Sequence, residues 1–102
     1  MAHYLVTAKP DPDRLAELRT RLDSGEIAAM RPFGNSLHYS LDNAKMQDAE
    51  TAIWEEEDYC IPPLAQERAA VLDDYFSELA VERVEHGEGW DQLQDLPPMF
   101  GT

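Results

Sequence analysis

The sequence HYLVTA, residues 3–8, determines how the rest of the chain is interpreted. It is a short apolar run rich in residues that favour β-strands, and a Lys-Pro pair ends it. Successive residues of a strand point to opposite faces, and here Tyr4, Leu5 and Val6 make both faces apolar. The run therefore predicts a central strand that is covered on both sides.

The next part of the chain predicts one helix and then extended structure. Residues 11–25 form a helix in this interpretation, because leucines recur at three- and four-residue spacing and a glycine ends the segment. Residues 26–34 are too short for a second helix and contain Pro32, so they predict an edge strand. Residues 36–44 alternate apolar and polar side chains, and either continue that strand after a bend or add a hairpin arm.

The second half of the chain predicts a strand, a helix, a last strand and a docked tail. A strand is predicted over residues 50–58 and a helix over residues 62–79, where apolar side chains fall on one stripe. Residues 80–87 predict the last strand. The tail, residues 88–102, is too apolar to extend freely into solvent, so we expect it to dock on its own subunit or on a partner.

This order predicts a single α+β domain over residues 1–102, with the βαββαβ plan of ferredoxin-like folds and an antiparallel sheet. Two helices cover only one face of such a sheet, although the first strand is apolar on both. We therefore expect a homodimer in which the sheets pack face to face, as in dimeric α/β barrels.

Charge and composition limit the partners. The formal charge of −13 produces a field that repels phosphate backbones and anionic membranes, so neither nucleic acid nor a membrane is expected to bind. The apolar start of the chain is too short for a signal peptide, which predicts a cytoplasmic location. One cysteine and three histidines without tight spacing give no metal signature, and no cofactor motif is present.

Four features resemble the YCII-related branch of the dimeric α/β-barrel proteins. They are YLV at residues 4–6, the leucine-rich first helix, LDSGEIAAMRPFG at residues 22–34 and LAVERVE at residues 79–85. The resemblance implies the ferredoxin-like fold and the dimer. Members of that branch carry a catalytic histidine on the first helix, but the matching helix here has none, so that role is not carried over to this chain.

The candidate site residues come from the two middle strands and the loop that follows. In WEEED, residues 54–58, Trp54 and Glu56 point to one face, and neighbouring acids point to the other. Either His38 or Glu56 is the candidate general base. A pocket is predicted from four ligand-binding residues, Arg31 as an anion anchor with Tyr39, Trp54 and Tyr59 as walls. His3 and His86 are expected to be neighbours, because the first and last strands pair in this fold.

Two functions remain open from these residues. The first is a cofactor-free isomerase, lyase or monooxygenase that acts on a small aromatic or carboxylated metabolite. The second is a non-catalytic protein that binds a metabolite or another protein, and whose acids only maintain solubility. An enclosed cavity that holds a titratable group with a displaced pKa would favour the first.

Overall fold

The apolar run near the start of the sequence forms the inner strand of a mixed α+β structure. The computed structural model describes residues 2–100 and contains a four-stranded antiparallel sheet in the order β2-β3-β1-β4. The strands are β1 (Ala2–Pro10), β2 (Lys45–Met46), β3 (Ala52–Asp58) and β4 (Phe76–Val84). This arrangement is consistent with a ferredoxin-like fold.

Four helices accompany the sheet. They are α1 (Leu15–Asp23), α2 (Gly34–Asp42), α3 (65–75) and α4 (Glu88–Gln92). Helix α3 is α-helical over Ala65–Glu67, π-helical over Arg68–Leu72 and α-helical again over Asp73–Tyr75. None of the helices in residues 2–100 has the length and apolar character needed to cross a bilayer.

The two faces of the sheet differ in what covers them. Val6 pairs with Trp54 and Ala8 with Ala52, so these residues share the first face, where they join the main hydrophobic core with side chains of α1, α2 and α3. The second face carries His3, Leu5 and Thr7 of β1 opposite Glu57, Glu55 and Ile53 of β3. Part of the second face is covered by α4 and the segment after it.

The tail is docked on its own chain. Leu93 is buried, and Met99 belongs to the main core. The backbone N–H of Met46 donates to the carbonyl of Pro97 (2.8 Å), and that of Met99 donates to the carbonyl of Ala44 (2.8 Å), so the tail extends the sheet beyond β2. The tail therefore packs on its own subunit, which is one of the two alternatives that the sequence left open.

Two predicted strands are wrong. Residues 26–34 form turns that bury Ile27, and residues 36–44 lie mainly in helix α2. In the second segment, Leu37, Leu41 and Ala44 are buried at four- and three-residue spacing, whereas Tyr39 is 60% exposed. The predicted alternation counted Tyr39 as part of the buried face. Strand β2 (Lys45–Met46) falls instead between the segments predicted as strands over residues 36–44 and 50–58.

The helix predicted over residues 62–79 also ends earlier than expected. Helix α3 stops at Tyr75, and Phe76 has extended backbone angles of φ −133° and ψ 150°, so it starts β4. The carbonyl of Tyr75 accepts a hydrogen bond from the N–H of Asp11 (2.8 Å). A register irregularity between Thr7 and Lys9 in the pairing of β1 with β4 accompanies this early start.

Gly34→Ala is expected to lower the free energy of unfolding by about 1 to 3 kcal/mol, because overpacking strains the surroundings. A Cβ atom at this position would lie 2.5 Å from the carbonyl oxygen of Ile27 and 2.7 Å from that of Ala28. Both atoms belong to the backbone and cannot rotate away. Urea denaturation measures the change, and exposed Asn35→Ala, the matched control, is expected to stay within about 0.5 kcal/mol. Equal stability of Gly34→Ala and wild type would contradict the prediction.

Candidate functional site

Two groups of residues have the geometry of a functional site. The first, which we call the imidazole pocket, is a surface cavity of about 280 Å³ on the second face of the sheet. Residues of β1, β3, α2 and the α4 region line it: His3, Asn35, Ser36, Tyr39, Ser40, Glu55, Glu57, His86 and Trp90. The second, the carboxylate cluster, consists of Glu56, Asp58 and Glu67 between β3 and α3.

Two stacked imidazoles lie at the imidazole pocket. The rings of His3 and His86 have centroids 4.5 Å apart and are inclined by 15°. This stacking confirms that the two histidines are neighbours. His3 Nδ1 lies 3.6 Å from Glu55 Oε2, and His3 Nε2 lies 3.8 Å from Glu57 Oε2. The His3 ring thus lies within ion-pair distance of two carboxylates, a geometry in which an imidazole can exchange a proton with a bound molecule.

Aromatic side chains form another part of the pocket lining. Tyr39 from α2 and Trp90 from α4 meet edge to face, with ring centroids 5.9 Å apart. Such rings bind planar or cationic groups. No lysine or arginine is among the residues that line the pocket. The lining therefore favours a neutral or cationic ligand over an anionic one.

Glu55 lines the imidazole pocket and also accepts hydrogen bonds from the backbone at the start of α4. Its carboxylate accepts hydrogen bonds from the backbone N–H groups of Gly87 (2.9 Å), Gly89 (2.7 Å) and Trp90 (3.2 Å). A Cβ at Gly89 would lie 2.8 Å from Glu55 Oε1, so only glycine allows this approach. Glu55 thereby holds the start of α4, and with it Trp90, against the sheet.

Glu55→Gln is expected to lower the free energy of unfolding by about 1 to 2 kcal/mol, because hydrogen bonds to a charged acceptor are stronger than those to a neutral amide. Amide hydrogen exchange should also accelerate at Gly87, Gly89 and Trp90, whose donors lose the carboxylate. Both quantities are measurable on one sample, by denaturation and by NMR. Exchange rates equal to wild type at all three amides would show that Glu55 does not hold α4.

The carboxylate cluster is buried. Glu56 and Glu67 are 0% exposed and Asp58 is 4% exposed. Burial raises the pKa of Glu67 to about 8, and its contact with Asp58 adds to the shift. Burial also raises the pKa of Glu56 well above its ordinary value, and the charge of Glu67 acts in the same direction. At neutral pH Glu67 therefore holds a proton.

Asp58 differs from the two glutamates. Burial acts against its charged form, but hydrogen bonds from Glu67 and from backbone N–H groups lower the pKa of Asp58 below its ordinary value. Its Oδ2 accepts from the N–H of Leu64 (2.6 Å) and from that of Cys60 (3.1 Å). Leu64 is buried with a left-handed φ of 64°, a conformation that is unusual for leucine, and this hydrogen bond helps to fix it.

The predicted site residues are not all brought together. Trp54 lies in the core at 0% exposure, and its Nε1–H donates to Glu56 Oε1 (3.2 Å). Tyr39 lines the imidazole pocket, whereas Tyr59, 69% exposed, lines two pockets beside Cys60.

The side chains of His38, Arg31 and Arg68 lie outside the imidazole pocket and the carboxylate cluster. His38 is half-buried, and its buried Nδ1 has no hydrogen-bond partner among residues 2–100. Arg31 is exposed to solvent. Arg68 is also exposed and pairs with Asp73.

Glu67 and Cys60 were missed as site residues. Glu67 lies three residues after Leu64 and four before Val71, so it falls on the buried stripe of α3. That spacing is the available signal, but the stripe predicted for this helix is defined by its apolar side chains. As a lone cysteine, Cys60 gives no metal signature in the sequence, and it is half-buried beside Asp58 and Glu67.

Comparison with known proteins finds no match for this chain. No protein-family model matches it, and neither a curated protein sequence nor a solved structure is similar to it. The YCII-related resemblance therefore stays a prediction.

Proposed function

We propose that this protein binds a small aromatic molecule, neutral or positively charged, in the imidazole pocket, and that His3 with Glu57 transfers a proton to or from it without a cofactor. The observation that carries the proposal is the stacked pair of His3 and His86 beside two carboxylates and the Tyr39–Trp90 wall. Few protein surfaces combine imidazoles, acids and aromatic rings around one cavity, and such convergence marks binding sites.

The charges of the protein support a cationic or neutral ligand. The lining includes Glu55 and Glu57, and the whole chain has a formal charge of −13, so the surrounding field attracts cations and repels carboxylates. Arg31, the expected anion anchor, is not among the residues that line this pocket. We therefore favour an aromatic amine over the carboxylated metabolites that the sequence left open.

The experiment is a titration with phenethylamine and tryptamine, with benzoate as the anionic counterpart, followed by NMR of the histidine ring protons. We expect saturable shifts of His3 and His86 with the amines and none with benzoate. His86→Ala should weaken amine binding at least fivefold, whereas Tyr59→Ala, in other pockets, should leave it unchanged.

Three results decide between the interpretations. If no amine shifts the histidine resonances, or if Tyr59→Ala weakens binding as much as His86→Ala, the binding proposal fails. Chemical conversion of a bound amine that is lost in His3→Gln supports the enzyme. Saturable binding without conversion of any amine tested supports the alternative, a non-catalytic metabolite-binding protein.

We also propose a ferredoxin-like homodimer that packs through the open part of the second sheet face. Leu5 and Thr7 of β1 lie opposite Glu82 and Ala80 of β4 on this face, beside the part that α4 covers. Leu5 and Thr7 are only half-buried in the single chain. A second copy related by two-fold symmetry would bury these residues against their own equivalents.

Sedimentation velocity tests the dimer. We expect a dimer at micromolar concentration that Leu5→Glu dissociates. Val81→Glu is the matched control, because Val81 pairs with Val6 and points to the other face of the sheet. A wild-type monomer at 100 times that concentration, or equal effects of the two variants, would exclude this interface.

A further inference from the structure

Three residues with side chains that bind metals meet where β3 passes into α3. Asp58 ends β3, Cys60 follows in the loop, and Glu67 lies in the first turn of α3. One carboxylate oxygen from each acid and the Cys60 sulfur all lie within 4.8 Å of one another. The distance between Cys60 Sγ and Glu67 Oε1 is 3.8 Å. Zinc bonds to sulfur and oxygen place such atoms about 3.5 Å apart in a tetrahedral site, so small side-chain rotations suffice.

Two buried oxygens of the carboxylate cluster lack a hydrogen-bond donor among residues 2–100. Glu67 Oε2 and Glu56 Oε2 are buried and accept no hydrogen bond from residues 2–100. Within the same range no lysine, arginine or histidine forms an ion pair with Glu56, Asp58 or Glu67. Proteins rarely leave buried carboxylate oxygens in this state, because each costs desolvation energy without a compensating contact. A bound cation supplies the missing contact.

Backbone hydrogen bonds orient Asp58, one of the three ligands. Two backbone N–H groups, of Cys60 and Leu64, hold Asp58 through Oδ2 and leave its Oδ1 for another partner. The indole N–H of Trp54 donates to Glu56, the member of the carboxylate cluster that is not one of the three ligands. Such outer hydrogen bonds are typical of metal sites, where they set the orientation of the ligating side chains.

We propose that Asp58, Cys60 and Glu67 bind one divalent transition-metal ion of the zinc type. The sulfur ligand argues against magnesium and calcium, which prefer all-oxygen sites, and a mixed oxygen–sulfur set suits zinc or cobalt. Three protein ligands leave one tetrahedral position for water or a substrate atom, as in catalytic zinc sites.

The site is accessible from the surface. Asp58 and Cys60 line a cavity of about 300 Å³ beside Tyr4 and Arg83. They also line a second cavity of about 170 Å³ beside Phe33 and Gln66. An ion can therefore enter without unfolding the domain.

The test uses Co²⁺ and Zn²⁺ on the full chain after treatment with a chelator. We expect one Co²⁺ per chain, with a near-ultraviolet sulfur-to-cobalt charge-transfer band, and displacement of that band by Zn²⁺. Cys60→Ser should remove the band, and Glu67→Gln should weaken Zn²⁺ binding at least tenfold. Glutamine has nearly the same size and shape as glutamate, so Glu67→Gln is expected to remain folded.

The control is Glu50→Gln, which changes an exposed acid that precedes β3 and lines neither of these two cavities, and it should leave the band and the affinity unchanged. Twenty-one acidic residues offer weak sites for cations, so binding alone is not sufficient evidence. Absence of the band in wild type, or Zn²⁺ affinity that is equal in wild type and Glu67→Gln, would overturn the proposal.

Discussion

Trp54→Ala is expected to lower the free energy of unfolding by about 3 to 5 kcal/mol, the usual cost of truncating a buried tryptophan. Trp54 is 0% exposed and packs against Phe76, with ring centroids 5.2 Å apart. Truncation leaves a cavity between the sheet and its helices. It also removes the donor to Glu56 Oε1, in a buried side chain whose Oε2 already accepts no hydrogen bond from residues 2–100. Urea denaturation followed by circular dichroism measures the change.

Tyr39→Ala is the matched control for this prediction. Tyr39 is 60% exposed, so its truncation is expected to cost less than about 1 kcal/mol. Its effect should instead appear as weaker amine binding at the imidazole pocket. If Trp54→Ala unfolds at the same urea concentration as wild type, Trp54 is not a core residue and its predicted role in ligand binding becomes the better interpretation.

The sheet could largely be predicted from the sequence, because its two inner strands carry strong signals. Residues 4–8 and 51–54 are short runs of apolar, aromatic or β-branched side chains, and the segments that contain them, residues 3–8 and 50–58, form most of β1 and β3. The last strand was also predicted, although it begins at Phe76 and not at Ala80. The pairing of these strands follows from the fold plan, and the neighbouring positions of His3 and His86 follow from the pairing.

Helix α2 could not be separated from a strand by periodicity. Leu37 and Leu41 fit both a two-residue and a four-residue repeat, and the choice depended on whether Tyr39 or Ala44 was buried. The structure buries Ala44 and exposes Tyr39, because α2 packs along the edge of β3, where Ser40 Oγ donates to the carbonyl of Glu55 (2.8 Å). That edge is free because β2 pairs only with Ala52 and Ile53. This contact is tertiary and has no local signal.

The candidate sites were harder to predict than the fold. The alternation of WEEED correctly separates Glu56, on the core face, from Glu55 and Glu57, on the second face. It cannot indicate that Glu55 is buried by α4, or that Glu56 meets a glutamate from α3. These neighbours come from segments distant in sequence, and a buried acid resembles a solvated one when only its own strand is considered.

Glu67→Gln is expected to stabilise the metal-free protein at pH 8 to 9 and to flatten its dependence on pH. The pKa of Glu67 is raised from 4.5 to about 8 by burial and by Asp58, so the folded state binds this proton more tightly than the unfolded chain does. The stabilising contribution is therefore fully present below pH 4.5 and is lost as the pH rises through about 8. The loss in wild type is on the order of a few kcal/mol. Glutamine stays neutral and avoids it.

Urea denaturation at pH 5, 7 and 9 in the presence of a chelator measures the effect. We expect the wild-type free energy of unfolding to fall between pH 5 and 9, and the fall to be clearly smaller in Glu67→Gln. Glu57→Gln is the control, because it removes the same charge from a half-exposed position, where the pH dependence should stay close to wild type. The self-repulsion of a chain with charge −13 also lowers stability at alkaline pH, but it acts almost equally on both variants. Parallel pH profiles for the two variants would therefore show that Glu67 does not hold its proton in the folded protein.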